Sequence, residues 1–174
     1  MLPSSAQAAP RGSVTSTRVT AGPPSTRTFF KSIPHLLIDD QNSTDLEKAI
    51  EYCIKRKATS IDVIGWSGDR IDHTTGSLGC FKKYGKRVSL RFHDALGELT
   101  LIQKQVQLKM IKGEKLSLIP LDRCTGVTTK NLKYALHNET LELGVREGIS
   151  NEAIASRVTI HVKKGTLLLY RFRI

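Results

Sequence analysis

Acidic residues are missing from the beginning of this 174-residue chain. All 16 Asp and Glu residues lie at or after Asp39, in a sequence whose net charge is +11. The opening segment is rich in Ser, Ala, Pro, Thr and Arg and has no hydrophobic period, so residues 1–30 are predicted to be disordered or non-native. Their composition is that of an organellar transit peptide but lacks a clear amphipathic helix, and a mis-called or truncated start is the alternative.

Long apolar runs and paired cysteines are also missing. No apolar stretch approaches the ~20 residues of a spanning helix, so no membrane association is predicted. Three cysteines, with no C-x-x-C pair among them, argue against a disulfide framework and against a zinc site. A hydrophobic share of 39% and a charged share of 25% predict a soluble globular protein. The reducing cytoplasm is the expected compartment.

Aromatic residues are scarce, at 6% of the chain. Nucleic-acid sites combine a basic stripe with aromatic platforms for base stacking, whereas here Lys and Arg are scattered among acids. We therefore predict no nucleic-acid partner. A site for a small polyanion such as ATP accounts for the same positive excess.

The first half shows alternating strand and helix signals. Thr44 and Glu47 form a capping-box pattern, and apolar residues follow it at helical spacing from Leu46 to Ile54. The predicted strands are His35–Ile38 and Ile61–Ile64, with a turn at Gly65–Gly68 and a second helix over Asp72–Tyr84. This order predicts an α/β part with an incomplete parallel sheet, placed at residues 31–86.

From Arg87 onward the hydrophobic period becomes two. Apolar residues alternate in several short runs that turns such as Lys112–Glu114 separate. The pattern predicts an all-β antiparallel sandwich over residues 87–174. The predicted runs contain Val88, Leu90 and Phe92; Val106, Leu108 and Met110; and Val158, Ile160 and Val162.

Three acidic residues follow or open the predicted elements where α/β proteins place their sites. Asp40 follows the first strand, Asp45 opens the first helix, and Asp72 follows the second strand. Carboxylates at neighbouring strand ends can bind Mg²⁺. Arg70 can bind a phosphate with two hydrogen bonds, and the nearby glycines allow backbone N–H groups to approach it. Each has a structural alternative: Asp40 in a turn, Asp45 at a helix start, and Arg70 with Asp72 in a surface ion pair.

Several co-linear segments resemble thiamine pyrophosphokinases. In the first half these are Gln41–Ala49 and Ile64–Thr74, the latter similar to a G-x-x-G-G-R-x-D-H-T motif. In the second half the similar segments are Leu116–Leu121, Gly126–Thr129, Leu132–Leu136 and Gly148–Glu152. The resemblance covers roughly residues 33–170.

The resemblance implies a homodimeric enzyme, with its sites at the subunit interface, that transfers pyrophosphate from ATP to thiamine with Mg²⁺, giving thiamine diphosphate and AMP. It implies that Asp45 and Asp72 bind the metal. The implied catalytic residues are Asp72, Arg70 and Asp45; those for ATP or its phosphates are Arg70, Gly68, Thr44 and His73; and those for thiamine are Thr128, Thr129, Ser150 and Asn151. Structural alternatives remain: a buried histidine for His73, and ordinary turn or loop sequence for the last four residues.

The chain departs from the family pattern in its first part. The family's G-D-x-D-S motif, whose two aspartates hold Mg²⁺, does not occur in this sequence. Asp69 replaces a family glycine, and Trp66 stands where the family has a smaller residue. Two hypotheses follow: an enzyme of thiamine activation, or a truncated, non-catalytic remnant that dimerises and binds thiamine without transferring pyrophosphate.

Overall fold

The computed structural model of the chain describes residues 40–68 and 70–173. The described residues fall into two compact units, one that ends at residue 58 and one that begins at residue 59. The predicted strand His35–Ile38 and the N-terminal segment 1–30 lie outside the described residues, so both stay predictions. Among the helices that are described, none has both the length and the apolar character needed to cross a bilayer.

The first unit contains helix α1, Asp45–Lys55. Its N-terminus is fixed by the predicted capping box: the Glu47 backbone N–H donates to Thr44 Oγ1 at 3.2 Å, and the Thr44 backbone N–H donates to Glu47 Oε2 at 2.9 Å. Ile50 and Cys53 on its apolar face are buried. The helix predicted from the capping box and the apolar period is confirmed.

The second unit begins with a strand, a helix and a parallel strand: β1 Ser60–Ile64, α2 Ile71–Tyr84 and β2 Ser89–His93. β1 and β2 pair directly, with Val63 opposite Phe92. The ring of Phe81 in α2 lies 4.5 Å from that of Phe92, centroid to centroid. Both rings are almost fully buried. Apolar residues on one face of these strands thus attach α2 to the sheet, as the α/β pattern predicts.

The remaining strands form the rest of a six-stranded sheet and a separate four-stranded sheet. These strands are β3 Gly97–Ile102, β4 Gln105–Lys109, β5 Lys115–Pro120, β6 Cys124–Lys130, β7 Glu139–Leu141, β8 Gly148–Glu152, β9 Arg157–His161 and β10 Leu167–Phe172. The strand orders of the two sheets are β1-β2-β3-β10-β5-β8 and β4-β9-β6-β7. Among these described strands, every pair except β1–β2 is antiparallel.

The two sheets pack through one hydrophobic core. Apolar side chains alternate along the strands, so each sheet turns a row of them toward the other. Leu116 and Leu118 of β5 and Ile160 of β9 are fully buried there. The larger core set also contains Ile102, Met110, Cys124, Val127, Leu132, Leu136, Leu141, Ala153, Val158, Val162, Leu167 and Leu169.

The predicted fold class is confirmed in part and corrected in one respect. The parallel β1–β2 pair and the antiparallel sandwich are both present in the described residues, but they do not form separate sheets. β2 pairs with β1 on one side and antiparallel with β3 on the other, so one sheet contains both kinds of pairing. The proposed division at residues 86 and 87 stays a prediction.

Candidate functional site

The first group of predicted site residues lies in the turn after β1 and the first turn of α2. The backbone at Gly65 has φ +73, in the left-handed region that favours glycine. Gly68 is exposed, and a Cβ there would meet nothing within 4 Å among the described atoms. Arg70 is the N-cap residue of α2 and makes no side-chain capping bond. Asp69 lies outside the described residues.

Arg70 and Asp72 form an exposed ion pair at the start of α2. Arg70 Nε donates to Asp72 Oδ1 at 3.1 Å, and Arg70 Nη2 donates to Asp72 Oδ2. Their side chains are 67% and 59% exposed. The hydrogen bonds from Arg70 are the main cause that lowers the pKa of Asp72 below its ordinary value. The surface ion pair left open by the sequence is therefore present, and both partners remain accessible from solvent.

His73, which follows Asp72, and Trp66, four positions before Arg70, have different surroundings. His73 is exposed, which contradicts the alternative of a buried histidine. The Trp66 ring packs against Phe92, with centroids 5.6 Å apart. Its indole Nε1 is buried and has no hydrogen-bond partner among the described residues. Trp66 thus extends the aromatic packing of Phe81 and Phe92 toward the turn.

The remaining acidic candidates lie in the first unit. Asp45 is in the first turn of α1 and pairs with Lys48 at 3.7 Å. Asp40 Oδ1 accepts a hydrogen bond from the Asn42 backbone N–H at 2.9 Å, and Ser43 Oγ donates to Asp40 Oδ2. These bonds are typical of a turn residue. Within the described part of the chain, no three His, Cys, Asp or Glu side chains form a group suited to a metal.

The second group of predicted residues surrounds the segment 131–138, which connects β6 to β7. Thr129 holds Leu136 twice: its N–H donates to the Leu136 carbonyl, and its Oγ1 accepts from the Leu136 N–H, both at 2.9 Å. Thr128 Oγ1 accepts from the Asn138 N–H at 3.1 Å. The two threonine hydroxyls therefore fix the backbone of this segment.

Asn151 holds the same segment from β8. Its Oδ1 accepts from the Tyr134 N–H at 3.1 Å, and its Nδ2 donates to the Tyr134 carbonyl at 2.7 Å. Asn151 is only 3% exposed, whereas the Tyr134 side chain that it positions is 62% exposed. The amide thus binds both backbone groups of one residue and leaves its ring at the surface.

Ser150 differs from the three residues just described. Its backbone is left-handed, with φ +57, and its side chain is exposed. Its hydroxyl makes no hydrogen bond to any part of the chain that the structure describes, while its N–H donates to Ser117 Oγ at 3.0 Å. Among the residues of the second group, Ser150 is thus the one whose hydroxyl has no partner in the described part of the chain.

Two features were missed from the sequence. The sequence singles out Ser117 only as part of the segment Leu116–Leu121. Its contact with Ser150 joins residues far apart in the sequence. On β1 and β2, Asp62 accepts from Arg91 Nε at 2.7 Å and from Arg91 Nη2 at 2.6 Å, and its Oδ1 lies 2.6 Å from His93 Nε2. These contacts lower the pKa of Asp62 to about 2, with the Arg91 bonds as the largest cause. The parallel register that pairs Asp62 with Arg91 gave no signal in the sequence.

Comparison with known proteins identifies the family. Residues 23–92 match the family model for the thiamin pyrophosphokinase catalytic domain, and residues 100–167 match the model for its vitamin B1 binding domain. Thiamine pyrophosphokinase of Bacillus subtilis is 29% identical over 83% of this chain and 71% of its own length. Thiamin pyrophosphokinase 1 of Caenorhabditis elegans is 27% identical over 70% of this chain, which spans only 55% of that relative.

The fold agrees with these matches. The crystal structure of thiamin pyrophosphokinase from Geobacillus thermodenitrificans superposes with a TM-score of 0.73 and 25% identity, over 86% of this chain and 70% of that one. The two matched domain models follow one another along the chain and together span most of the sequence. The chain belongs to the thiamine pyrophosphokinase family.

Proposed function

We propose that this chain transfers pyrophosphate from ATP to the hydroxyl of thiamine, giving thiamine diphosphate and AMP. The observation that supports this most strongly is the match of both family domains along one chain. The free cysteines, all three buried, suit the cytoplasm as its compartment. The two groups of side chains described above are assigned to the two substrates.

The first group is assigned to ATP. Arg70 has a guanidinium group that already forms two parallel hydrogen bonds with a carboxylate, and a phosphate presents the same geometry. It stands at the start of a 14-residue helix, where the helix dipole favours an anion. Gly68 and His73, in the same unit as Arg70, are proposed to complete the phosphate contacts; the role of Thr44, which lies in the first unit, stays a prediction. Binding ATP requires Arg70 to exchange Asp72 for a phosphate.

Mg²⁺ is the proposed cofactor, and Asp72 is its proposed ligand in this unit; the role of Asp45, which lies in the first unit, stays a prediction of the family resemblance. The fit rests on donor chemistry: Asp72 offers carboxylate oxygens and its side chain is 59% exposed. Mg²⁺ commonly takes one or two carboxylates and completes its shell with water and substrate phosphates. The metal would neutralise charge on the phosphates. Arg70 and Asp72 orient the reacting groups, because positioning dominates this chemistry.

The second group is assigned to thiamine. We infer that Ser150 contacts the substrate, because its hydroxyl is exposed and has no partner among the described residues. Thr128, Thr129 and Asn151 are proposed to act beside it by holding segment 131–138 in place. The segment presents Tyr134 next to β8, on which Ser150 lies.

The test is AMP formation by the purified chain with ATP, thiamine and Mg²⁺. Thiamine-dependent AMP release supports the enzyme. Asp72→Asn is expected to abolish it with the fold retained by circular dichroism, while Glu98→Gln, which removes a carboxylate from β3, is the matched control. Thiamine binding without AMP release would instead establish the non-catalytic, thiamine-binding alternative.

A homodimer is proposed as the active form. Four large apolar side chains are exposed on segment 131–138, on the turn within 142–146 and on β8: Tyr134, Leu143, Val145 and Ile149. Exposed apolar patches are typical of an interface, and we propose that these four side chains contribute to one. Light scattering after gel filtration is expected to give twice the chain mass, and Val145→Lys is expected to shift it toward the monomer. A monomeric wild-type chain would contradict the dimer.

A further inference from the structure

β8 contains an irregularity directly opposite Ser117. Leu116 pairs with Asn151 and Leu118 pairs with Gly148, so Ser117 alone faces two residues, Ile149 and Ser150. This is a β-bulge, which bends a strand and re-aims its side chains and is common beside functional sites. Ile149 and Ser150 are both exposed although they are consecutive, so the regular alternation of faces is interrupted.

The bulge combines a close approach to β5 at Gly148 with an unfavourable backbone conformation at Ser150. Gly148 lies so near Leu118 that a Cβ on it would come within 2.8 Å of the Leu118 Cβ, which only glycine avoids. Ser150 takes a left-handed conformation, with φ +57, that is sterically unfavourable for an L-residue. A conformation of this kind persists only where neighbouring groups hold it.

Ser117 supplies the hydrogen bond that opposes this cost. It is only 4% exposed, and its Oγ accepts from the Ser150 N–H at 3.0 Å. The bond joins a side chain on the interior strand β5 to the backbone of the edge strand β8. The hydroxyl of Ser150 stays free for a ligand because the backbone N–H, and not the side chain, makes this bond.

We propose that Ser117 is a positioning residue for the thiamine site, acting through the left-handed backbone of Ser150. The inference rests on the proposed function for its ligand and on the bulge geometry for its mechanism. Ser117 itself touches no substrate. Its hydroxyl holds Ser150 in the left-handed conformation in which the Ser150 side chain is exposed.

The experiment measures thiamine affinity by titration calorimetry on the full chain, which needs no catalytic turnover. Ser117→Ala and Ser150→Ala are each expected to weaken thiamine binding about five- to tenfold, as for one lost hydrogen bond. The double variant is expected to be no weaker than the weaker single one, because both changes remove the same contact. Ser117→Thr keeps the accepting oxygen and is expected to restore binding. ATP affinity is expected to stay unchanged in all four variants.

Three outcomes would each overturn the proposal. The first is a loss of thiamine affinity in the double variant equal to the product of the two single losses. The others are equal losses of ATP and thiamine affinity, and an unchanged thiamine affinity in Ser117→Ala. Amide hydrogen exchange supplies a readout that is independent of ligand. The Ser150 amide is expected to be protected in the wild-type chain and to exchange faster in Ser117→Ala, but not in Ser150→Ala. Absence of thiamine binding by the wild-type chain would overturn the proposed function, whereas an unprotected Ser150 amide would overturn the positioning mechanism alone.

Discussion

The side-chain amide of Asn151 bonds to both backbone groups of Tyr134, at 3.1 and 2.7 Å, from a position that is 3% exposed. The buried amide thus bonds to a backbone N–H and a backbone C=O, as a neighbouring strand would in a β-sheet. It attaches segment 131–138 to β8. The residue therefore contributes to stability as well as to the proposed site.

Replacement of Asn151 is expected to destabilise the chain. Asn151→Ala leaves the N–H and C=O of Tyr134 without partners, which is expected to lower the free energy of unfolding by about 2 kcal/mol or more. Asn151→Asp keeps the acceptor but loses the donor, so it is expected to destabilise as well. Urea denaturation measures both. Gln107→Ala, on the exposed face of β4, is the control and is expected to change stability by less than about 0.5 kcal/mol.

Two glycine replacements are expected to act in opposite directions. Gly148→Ala places a Cβ 2.8 Å from the Leu118 Cβ and is expected to cost about 1–3 kcal/mol of stability. Gly76→Ala lies within α2, where a Cβ meets nothing within 4 Å among the described atoms, and is expected to stabilise the chain by about 0.5–1 kcal/mol. Thermal unfolding of the two variants gives the signs directly. A higher unfolding temperature in Gly148→Ala would contradict the close approach of Gly148 to Leu118.

Arg70→Lys tests whether the guanidinium geometry matters and not its charge alone. Lysine keeps the positive charge but cannot form two parallel hydrogen bonds with one phosphate. If the chain is the proposed enzyme, kcat/KM for AMP formation is expected to fall about tenfold or more, as for one lost charge-assisted bond. Lys82→Arg, in the last turn of α2, is the matched control and is expected to keep full activity. Undiminished activity in Arg70→Lys would remove Arg70 from the phosphate site.

The Asp62 cluster predicts a dependence of stability on pH. The folded chain holds the pKa of Asp62 at about 2, below the ordinary 3.8, because Arg91 and His93 bond to the carboxylate. Its contribution to stability is therefore present above pH ~4 and is lost as the pH falls toward 2. Asp62→Asn is expected to cost about 1 kcal/mol at pH 7, a value reduced by solvent screening of a side chain that is 43% exposed. Urea denaturation at pH 7 and pH 3 is expected to show a smaller difference from wild type at the lower pH.

Local elements were predictable from the sequence because their signals are local. The capping box of Thr44 and Glu47 fixed the start of α1 to the residue, and the strand predicted at Ile61–Ile64 is β1 with one residue added. Alternation located β2, β4 and β9 for the same reason. Period-two patterns define which face of a strand is buried, and these faces are observed.

The arrangement of strands was not predictable in the same way. Alternation does not specify a strand's neighbours, so nothing in the sequence placed β10 between β3 and β5. Within the candidate site, the pairing of Arg70 with Asp72 could be predicted from the sequence because the two residues lie two positions apart. The bonds from Thr129 to Leu136, from Asn151 to Tyr134 and from Ser117 to Ser150 depend on which segments fold beside one another.

The position of β2 has a consequence for how the second unit unfolds. One strand carries the parallel ladder to β1 on one side and the antiparallel ladder to β3 on the other. Separation of either neighbour would expose the hydrogen-bonding groups of β2 and the ring of Phe92, which is fully buried. The β1–β2 pair and the antiparallel strands are therefore expected to unfold together as one cooperative unit.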